Sequence, residues 1–213
     1  MIETATGLVM RTFPLTETSL IVHWLTPSLG RISTVAKGAR RPKSSFRGKI
    51  DLFYLADFSF QRSRKSDLHA LREIRLQDTN AFLRQDLALL RQAAYASALV
   101  SQSTEKETPL PEIYALVREF LAAIAGGPAL PHSVFAFELR LLGELGLEPD
   151  LTERPLTPGS QKLGSLLASA TWDALKSIRL TGPQVREIQS FLHGFIVFHL
   201  GKIPAGRAAA IGD

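Results

Sequence analysis

The sequence predicts an α+β chain, with an N-terminal five-stranded OB-type β-barrel followed by a C-terminal α-helical domain. Three observations predict it. Apolar residues alternate with a period of two through the first 76 residues, as half-buried strands require. From Asp78 onward the period becomes 3.6, that of amphipathic helices. Charge divides at the same place: residues 1–75 hold 13 Lys and Arg against 6 Asp and Glu, while residues 76–213 hold 12 against 14. The expected domains are therefore 1–77 and 78–213.

Taken in order, "ATGLVMRTF" opens the barrel as its first strand. "SLIVHWLT" sets Leu20, Val22 and Trp24 on one face, and "RISTVAKG" sets Ile32, Thr34 and Ala36. "LADFSFQR" sets Ala56, Phe58 and Phe60 against Asp57, Ser59 and Gln61. "LHALREIRL" reads as Leu68, Ala70, Arg72 and Ile74 opposite His69, Leu71, Glu73 and Arg75. Turn chemistry lies between them, in "TPSLG" at 26–30 and "RSRKSD" at 62–67. Five short strands without a helix-length pattern favour a small closed barrel.

In the second half, residues 80–100 read as one long helix with Leu83, Leu87, Leu90 and Ala94 on its stripe. "PEIYALVREFLAAIAGG" starts on Pro111, stops on Gly126 and Gly127, and turns Ile113, Leu116, Val117, Phe120, Leu121 and Ile124 inward. "SVFAFELRLLGELG" aligns Val134, Phe137, Leu141 and Leu145. Residues 148–162, with three prolines and no apolar run, read as a loop. A last helix follows "TGPQ", where Thr181 and Gln184 form a capping box, with Val185, Ile188, Phe191, Leu192, Phe195 and Phe198 as its core face.

The chain contains no cysteine, which excludes disulfides, thiolate metal sites and cysteine nucleophiles. Its N-terminus lacks the basic and apolar regions of a signal peptide. No apolar run approaches the roughly 20 residues that span a bilayer. The expected location is the cytoplasm. Five scattered histidines, no G-x-S-x-G elbow and no D-x-D or E-x-x-E constellation leave no catalytic or metal set, so no enzyme is expected. "ARRPKSS" has Pro42 where a phosphate-binding loop needs glycine before its lysine, so nucleotide binding there is rejected.

What remains is charge. From Thr18 to Ile50 no acidic residue occurs, while Arg31, Lys37, Arg40, Arg41, Lys43, Arg47 and Lys49 all fall inside. Cations so crowded repel one another, and a polyanion relieves that with release of counterions. Phe46 stands within the run as a base-stacking candidate, whereas Trp24 belongs in a core. Arg62, Arg64 and Lys65 in the second hairpin add cations at a barrel loop. The pattern points to nucleic acid, DNA or RNA.

Three segments carry a more specific likeness: "TETSLIVHWLTPSLGRISTVAKGARRPKSSFRGKIDLF" at 16–53, "FELRLLGELGLEPDL" at 137–151 and "HLGKIPAGR" at 199–207. In these, and in the order of barrel then helices, the chain resembles RecO, the bacterial recombination mediator family of DNA repair. The resemblance implies binding of single- and double-stranded DNA, annealing of complementary strands, and work with RecR to load RecA onto DNA coated by single-stranded-DNA-binding protein (SSB). It implies no membrane partner, no small-molecule substrate and no nucleotide hydrolysis. Lys37, Arg40, Arg41 and Lys43 match the family's basic segment, and Arg47 and Lys49 extend it. Many members bind zinc through four cysteines after the Leu-Gly-x-x-Pro-x-Leu segment, where this chain has "TERPLTPGSQK", so no cofactor is expected. The family's pocket for the acidic SSB tail needs a cation, and Arg140 is the candidate. The end, "GKIPAGRAAAIGD", is poor in the charge the family often shows there. A different-class reading is an RNA-binding OB protein of RNA metabolism.

Overall fold

The computed structural model describes residues 2–152 and 156–212. Two compact units emerge, one of residues 1–81 with 105–114 and one of 82–104 with 115–213. The first unit is a closed barrel of β1 (Ile2–Pro14), β2 (Leu20–Thr26), β3 (Gly30–Ala36), β4 (Leu55–Gln61) and β5 (Leu68–Asp78). Strand order is β1-β2-β3-β5-β4, closed by β4 on β1. Only β3 and β5 run parallel; the other neighbours are antiparallel. This is the OB-type arrangement that the sequence predicts.

The inner faces of β2, β3 and β4 are those read from alternation: Val22, Trp24, Ile32, Ala36, Ala56, Phe58 and Phe60 form the core. Trp24 stacks on Phe58 at 4.1 Å between centroids, and its indole N–H donates to Thr34 Oγ1 at 2.9 Å. The bond satisfies the one polar atom that burying tryptophan would strand.

β5 departs from simple alternation. Ser59 pairs with Glu73 but Phe60 pairs with Leu71, so Arg72 is an extra residue, a β-bulge. The bulge reverses the phase, and Leu71 and Ile74 both enter the core although alternation sets them on opposite faces. Gln77 is extra in the same way between Leu76 and Asp78.

Residues 105–114, assigned by periodicity to the helical half, group with the barrel. Lys106 bridges to Arg31, and the Glu107 N–H donates to the Arg31 carbonyl at 3.0 Å. Gly30 makes room for this segment. Its φ is +62°, and a Cβ there would lie 1.7 Å from the Thr108 carbonyl oxygen. Gly30→Ala is expected to cost on the order of 3 kcal/mol, combining left-handed strain with overpacking. Gly48→Ala, at φ +72° with no atom within 4 Å, should cost about 1–2 kcal/mol from strain alone. Urea denaturation of the two variants separates the clash from the strain, and equal losses would refute the close approach.

The second unit holds α1 (Leu87–Ser103), most of α2 (Pro111–Ile124), α3 (Pro131–Glu144), α4 (Pro158–Ser169), α5 (Trp172–Lys176), α6 (Gly182–Leu200) and α7 (Arg207–Ile211). The helix expected over 80–100 is two pieces. A 3-10 turn covers Ala81–Arg84, and α1 restarts where the Asp86 carboxylate accepts from the Ala88 and Leu89 amides at 2.7 and 3.2 Å. The restart rotates the buried stripe: Leu89, Ala93, Tyr95, Ala96, Leu99 and Val100 face the core, and Leu87 is exposed. α2 buries all six residues expected of it. The capping box of α6 is present, with Thr181 and Gln184 bonded reciprocally. Its buried stripe is Ile188, Leu192 and Ile196, while Phe198 is 83% exposed. Part of the loop expected at 148–162 is helical, since α4 starts on Pro158; residues 153–155 of that loop lie outside the described residues. No helix among the described residues is long and apolar enough to cross a membrane.

His132, at the buried start of α3, has its Nε2 3.0 Å from the Leu175 carbonyl. The bond requires the proton on Nε2. Burial chiefly holds its pKa below the ordinary value near 6.5, and burial does the same for His23. A depressed histidine is neutral when folded and takes up its proton in the unfolded chain first. Stability is therefore lost as pH falls through about 6.5 toward the folded pKa. The urea midpoint should be lower at pH 5.5 than at pH 7.5; a midpoint that rises on acidification would contradict this.

Candidate nucleic-acid interface

The connection from β3 to β4 folds as consecutive tight turns. Amides of Ala39, Arg41, Ser44, Arg47 and Lys49 each bond the carbonyl three residues earlier, at 3.0–3.3 Å. With the backbone satisfied internally, the loop needs little help from its side chains. It is pinned at three places. The Arg40 N–H donates to the Thr18 carbonyl at 3.0 Å, Val9 exchanges backbone bonds with Phe53 and Tyr54 at 2.8 and 2.9 Å, and Phe46 inserts into the barrel core at 8% exposure. Phe46 is thus not the free stacking platform the polar surroundings predicted. It is the apolar anchor of an otherwise charged loop, and its burial removes it from base contact.

Lys37, Arg40, Arg41, Lys43, Arg47 and Lys49 are all exposed. Among the described residues none pairs with a carboxylate; Arg40 and Arg47 reach only backbone carbonyls, of Thr16 and Pro42, at 3.4 and 3.1 Å. Six cations on one pinned loop present a fixed positive field to solvent.

The remaining predicted cations divide. Arg64 and Lys65 are exposed at the tip of the β4–β5 hairpin. Arg62 is committed: it bonds both oxygens of Glu3 at 2.8 and 3.0 Å and reaches Glu107 at 2.6 Å. The bond to Glu3 raises its pKa, and that to Arg62 holds the Glu3 carboxyl below its usual range. Beside this clamp His69 Nε2 lies 3.2 Å from Glu107. Arg62 is therefore a structural tie between β1, β4 and the 105–114 segment. Arg31 is half-buried, and desolvation lowers its pKa.

One feature of the barrel was not legible before strand pairing. On the outer face of β1–β2–β3, Arg11 pairs with His23 and His23 with Ser33. The Arg11 guanidinium lies 4.2 Å over the Phe13 ring, and Phe13 meets His23 edge-on at 5.4 Å. Ser33 Oγ lies 3.0 Å from His23 Nδ1. Burial lowers the His23 pKa, and Arg11, Lys106 and Arg31 add to it. Half-exposed rings ringed by cations are the surface that unpaired bases and their phosphates fit. Between Arg31 and Lys37 the strand runs about 20 Å, so this face leads into the basic loop.

Arg140 is placed differently from its predicted role. Its guanidinium lies 4.0 Å over Trp172 and donates to the carbonyls of Leu167 and Ala170, closing the end of α4. The adjoining cavity also carries Glu144 and Glu148, which repel an acidic peptide. A second cavity in the helical unit, of about 480 Å³, has apolar walls that include Ile124, Pro128, Leu130 and Ile178, with Lys176 and Arg179 beside them. Among the described residues no three His, Asp or Glu converge as metal ligands.

Comparison with known proteins agrees with this geometry. Residues 1–80 match the family model "Recombination protein O N terminal", and residues 84–154 match "Recombination protein O C terminal". The chain belongs to the RecO family. The first of these RecO matches covers all five strands of the barrel and the whole basic loop. The DNA repair protein RecO of Anaeromyxobacter sp. (strain K) is 28% identical over 236 residues, covering 95% of this chain and 93% of that protein. That of Anaeromyxobacter sp. (strain Fw109-5) is 33% identical over 68% of this chain and 56% of its own length. The Bacillus subtilis protein of the same name is 31% identical over 71% of this chain and 58% of its own length.

Proposed function

We propose that this chain binds single- and double-stranded DNA through the 37–49 loop and the Arg11–His23 face, and anneals complementary strands. The observation that carries the reading is six exposed cations on one loop, none paired with a carboxylate among the described residues, with the loop backbone pinned to an OB-type barrel. Annealing needs two polyanions brought within base-pairing distance, and a dense cationic ridge lowers their repulsion without any catalytic group. The reading has no cofactor and no catalytic residue. Within DNA repair, the chain would act with RecR to load RecA onto SSB-coated DNA. The cavity of Ile124 and Leu130 with Lys176 and Arg179 would take the acidic, apolar SSB tail, a role that Arg140 is too committed to fill.

The reading is tested by mixing two complementary labelled strands with protein and following energy transfer between them. Annealing should accelerate at low salt and fade as salt rises. An equal rate with and without protein at low salt would sink it. Tighter binding of RNA than of DNA of the same sequence would move the chain to RNA metabolism instead.

A further inference from the structure

A groove of about 790 Å³ opens over the first residues of β1 and the middles of β4 and β5. Its volume is that of a pocket for a small organic ligand. Lys49, Arg72 and Arg75 stand on its walls, all exposed. Lys49 belongs to the basic loop, so a strand lying on the loop continues into the groove.

One group in it is not accounted for by charge. Asp57 Oδ1 accepts from Thr6 Oγ1 and from Gln77 Nε2, both at 2.6 Å. Gln77 is the bulge residue of β5, and the bulge is what brings it out of the pairing row. Asp57 Oδ2 makes no hydrogen bond among the described residues. The two donors keep the Asp57 carboxyl below its usual range, so it is ionised at neutral pH. Glu73, the other carboxylate of the groove, is exposed. A fixed carboxylate accepts hydrogen bonds and donates none. Among cations it suits a ligand bearing both phosphate and an N–H donor.

We propose that this groove is a single-strand subsite that selects bases carrying an exocyclic amine, the amine donating to Asp57 Oδ2. Cytosine, adenine and guanine carry that amine; thymine and uracil do not. The proposal rests on the DNA-binding reading of the basic loop and deepens it.

The test uses labelled oligo(dC) and oligo(dU) of equal length at pH 8; cytosine presents the N4 amine and an N3 acceptor where uracil presents the O4 carbonyl and an N3–H. Fluorescence anisotropy with the full chain should give a Kd about tenfold lower for oligo(dC), the discrimination of one good base-edge contact. In Asp57→Asn the amide N–H faces the base, so the preference should vanish or invert while oligo(dU) affinity is kept. Equal affinities for the two oligomers in the unaltered protein would overturn the subsite and leave the loop reading standing. A preference that survives Asp57→Asn would overturn the role of Asp57. Failure of both oligomers to bind would overturn the DNA-binding reading itself. The comparison of oligomers on the unaltered protein needs no variant to fold.

Discussion

Exchanging Arg40 and Arg41 for glutamate is expected to abolish single-strand binding and annealing while leaving thermal unfolding unchanged. The two side chains are exposed and unpaired with any carboxylate among the described residues. The loop is held instead by backbone bonds and by Phe46. Reversal changes the local charge by four without touching either anchor. Each lost phosphate contact also lowers the salt slope by about 0.7 for a single strand, so the binding lost should be greatest at low salt. The control is Phe46→Ala, which removes the anchor and not the charge; it should lower the unfolding temperature, at a cost of about 3–5 kcal/mol for a buried phenylalanine. A double reversal that still anneals at the unaltered rate would show that the loop is not where the strands meet.

The second large effect is in the helical unit. Glu138, fully buried in α3, binds Arg207 of α7 at 2.6 and 2.8 Å and accepts from the Tyr95 hydroxyl of α1. Arg207 also donates to the Gln189 carbonyl of α6 at 3.2 Å. Four helices thus meet on one ion pair. Removing either partner strands a charge away from water, and Arg207→Ala or Glu138→Ala should cost about 3–5 kcal/mol. That is a large share of the stability of an ordinary domain. Replacing both with methionine should cost less than either single change, because no charge remains unpaired. Urea denaturation of the three variants distinguishes the cases; a double variant as unstable as the sum of the singles would mean that the side chains act independently.

Arg207 also shows where reading residues in order runs out. In the sequence it lies in a tail poor in charge, next to three alanines. Nothing local signals that an arginine 69 residues from Glu138 is its partner. The same limit applies to Arg62, whose partners Glu3 and Glu107 are 59 and 45 residues away, and to the Arg11–His23–Ser33 row, which exists only once register is known.

What is local was legible. Alternation places Trp24, Phe58 and Phe60 inside the barrel, and the Thr181–Gln184 spacing marks the start of α6. Alternation failed in β5, because Arg72 bulges and reverses the side chains from there to the second bulge at Gln77. The 3.6-residue period misplaced the stripe in the 80–100 segment, because an Ala- and Leu-rich stretch offers more than one apolar stripe and Asp86 decides which is used. Phe198 followed an apolar stripe by spacing, yet Ile188, Leu192 and Ile196 take the buried line. The exposure of the loop cations was predictable from their density, but the burial of Phe46 among them was not. One aromatic in a polar run is either free or an anchor, and only the barrel beneath it decides.

The most direct test of the account is the anisotropy of a labelled single-stranded DNA oligonucleotide titrated with the protein across a salt series. Binding should be tight at low salt, with a log–log slope steep enough for several neutralised phosphates, at about 0.7 for each. The slope should flatten in the Arg40→Glu, Arg41→Glu variant. Absence of binding at low salt, or binding indifferent to salt, would contradict it.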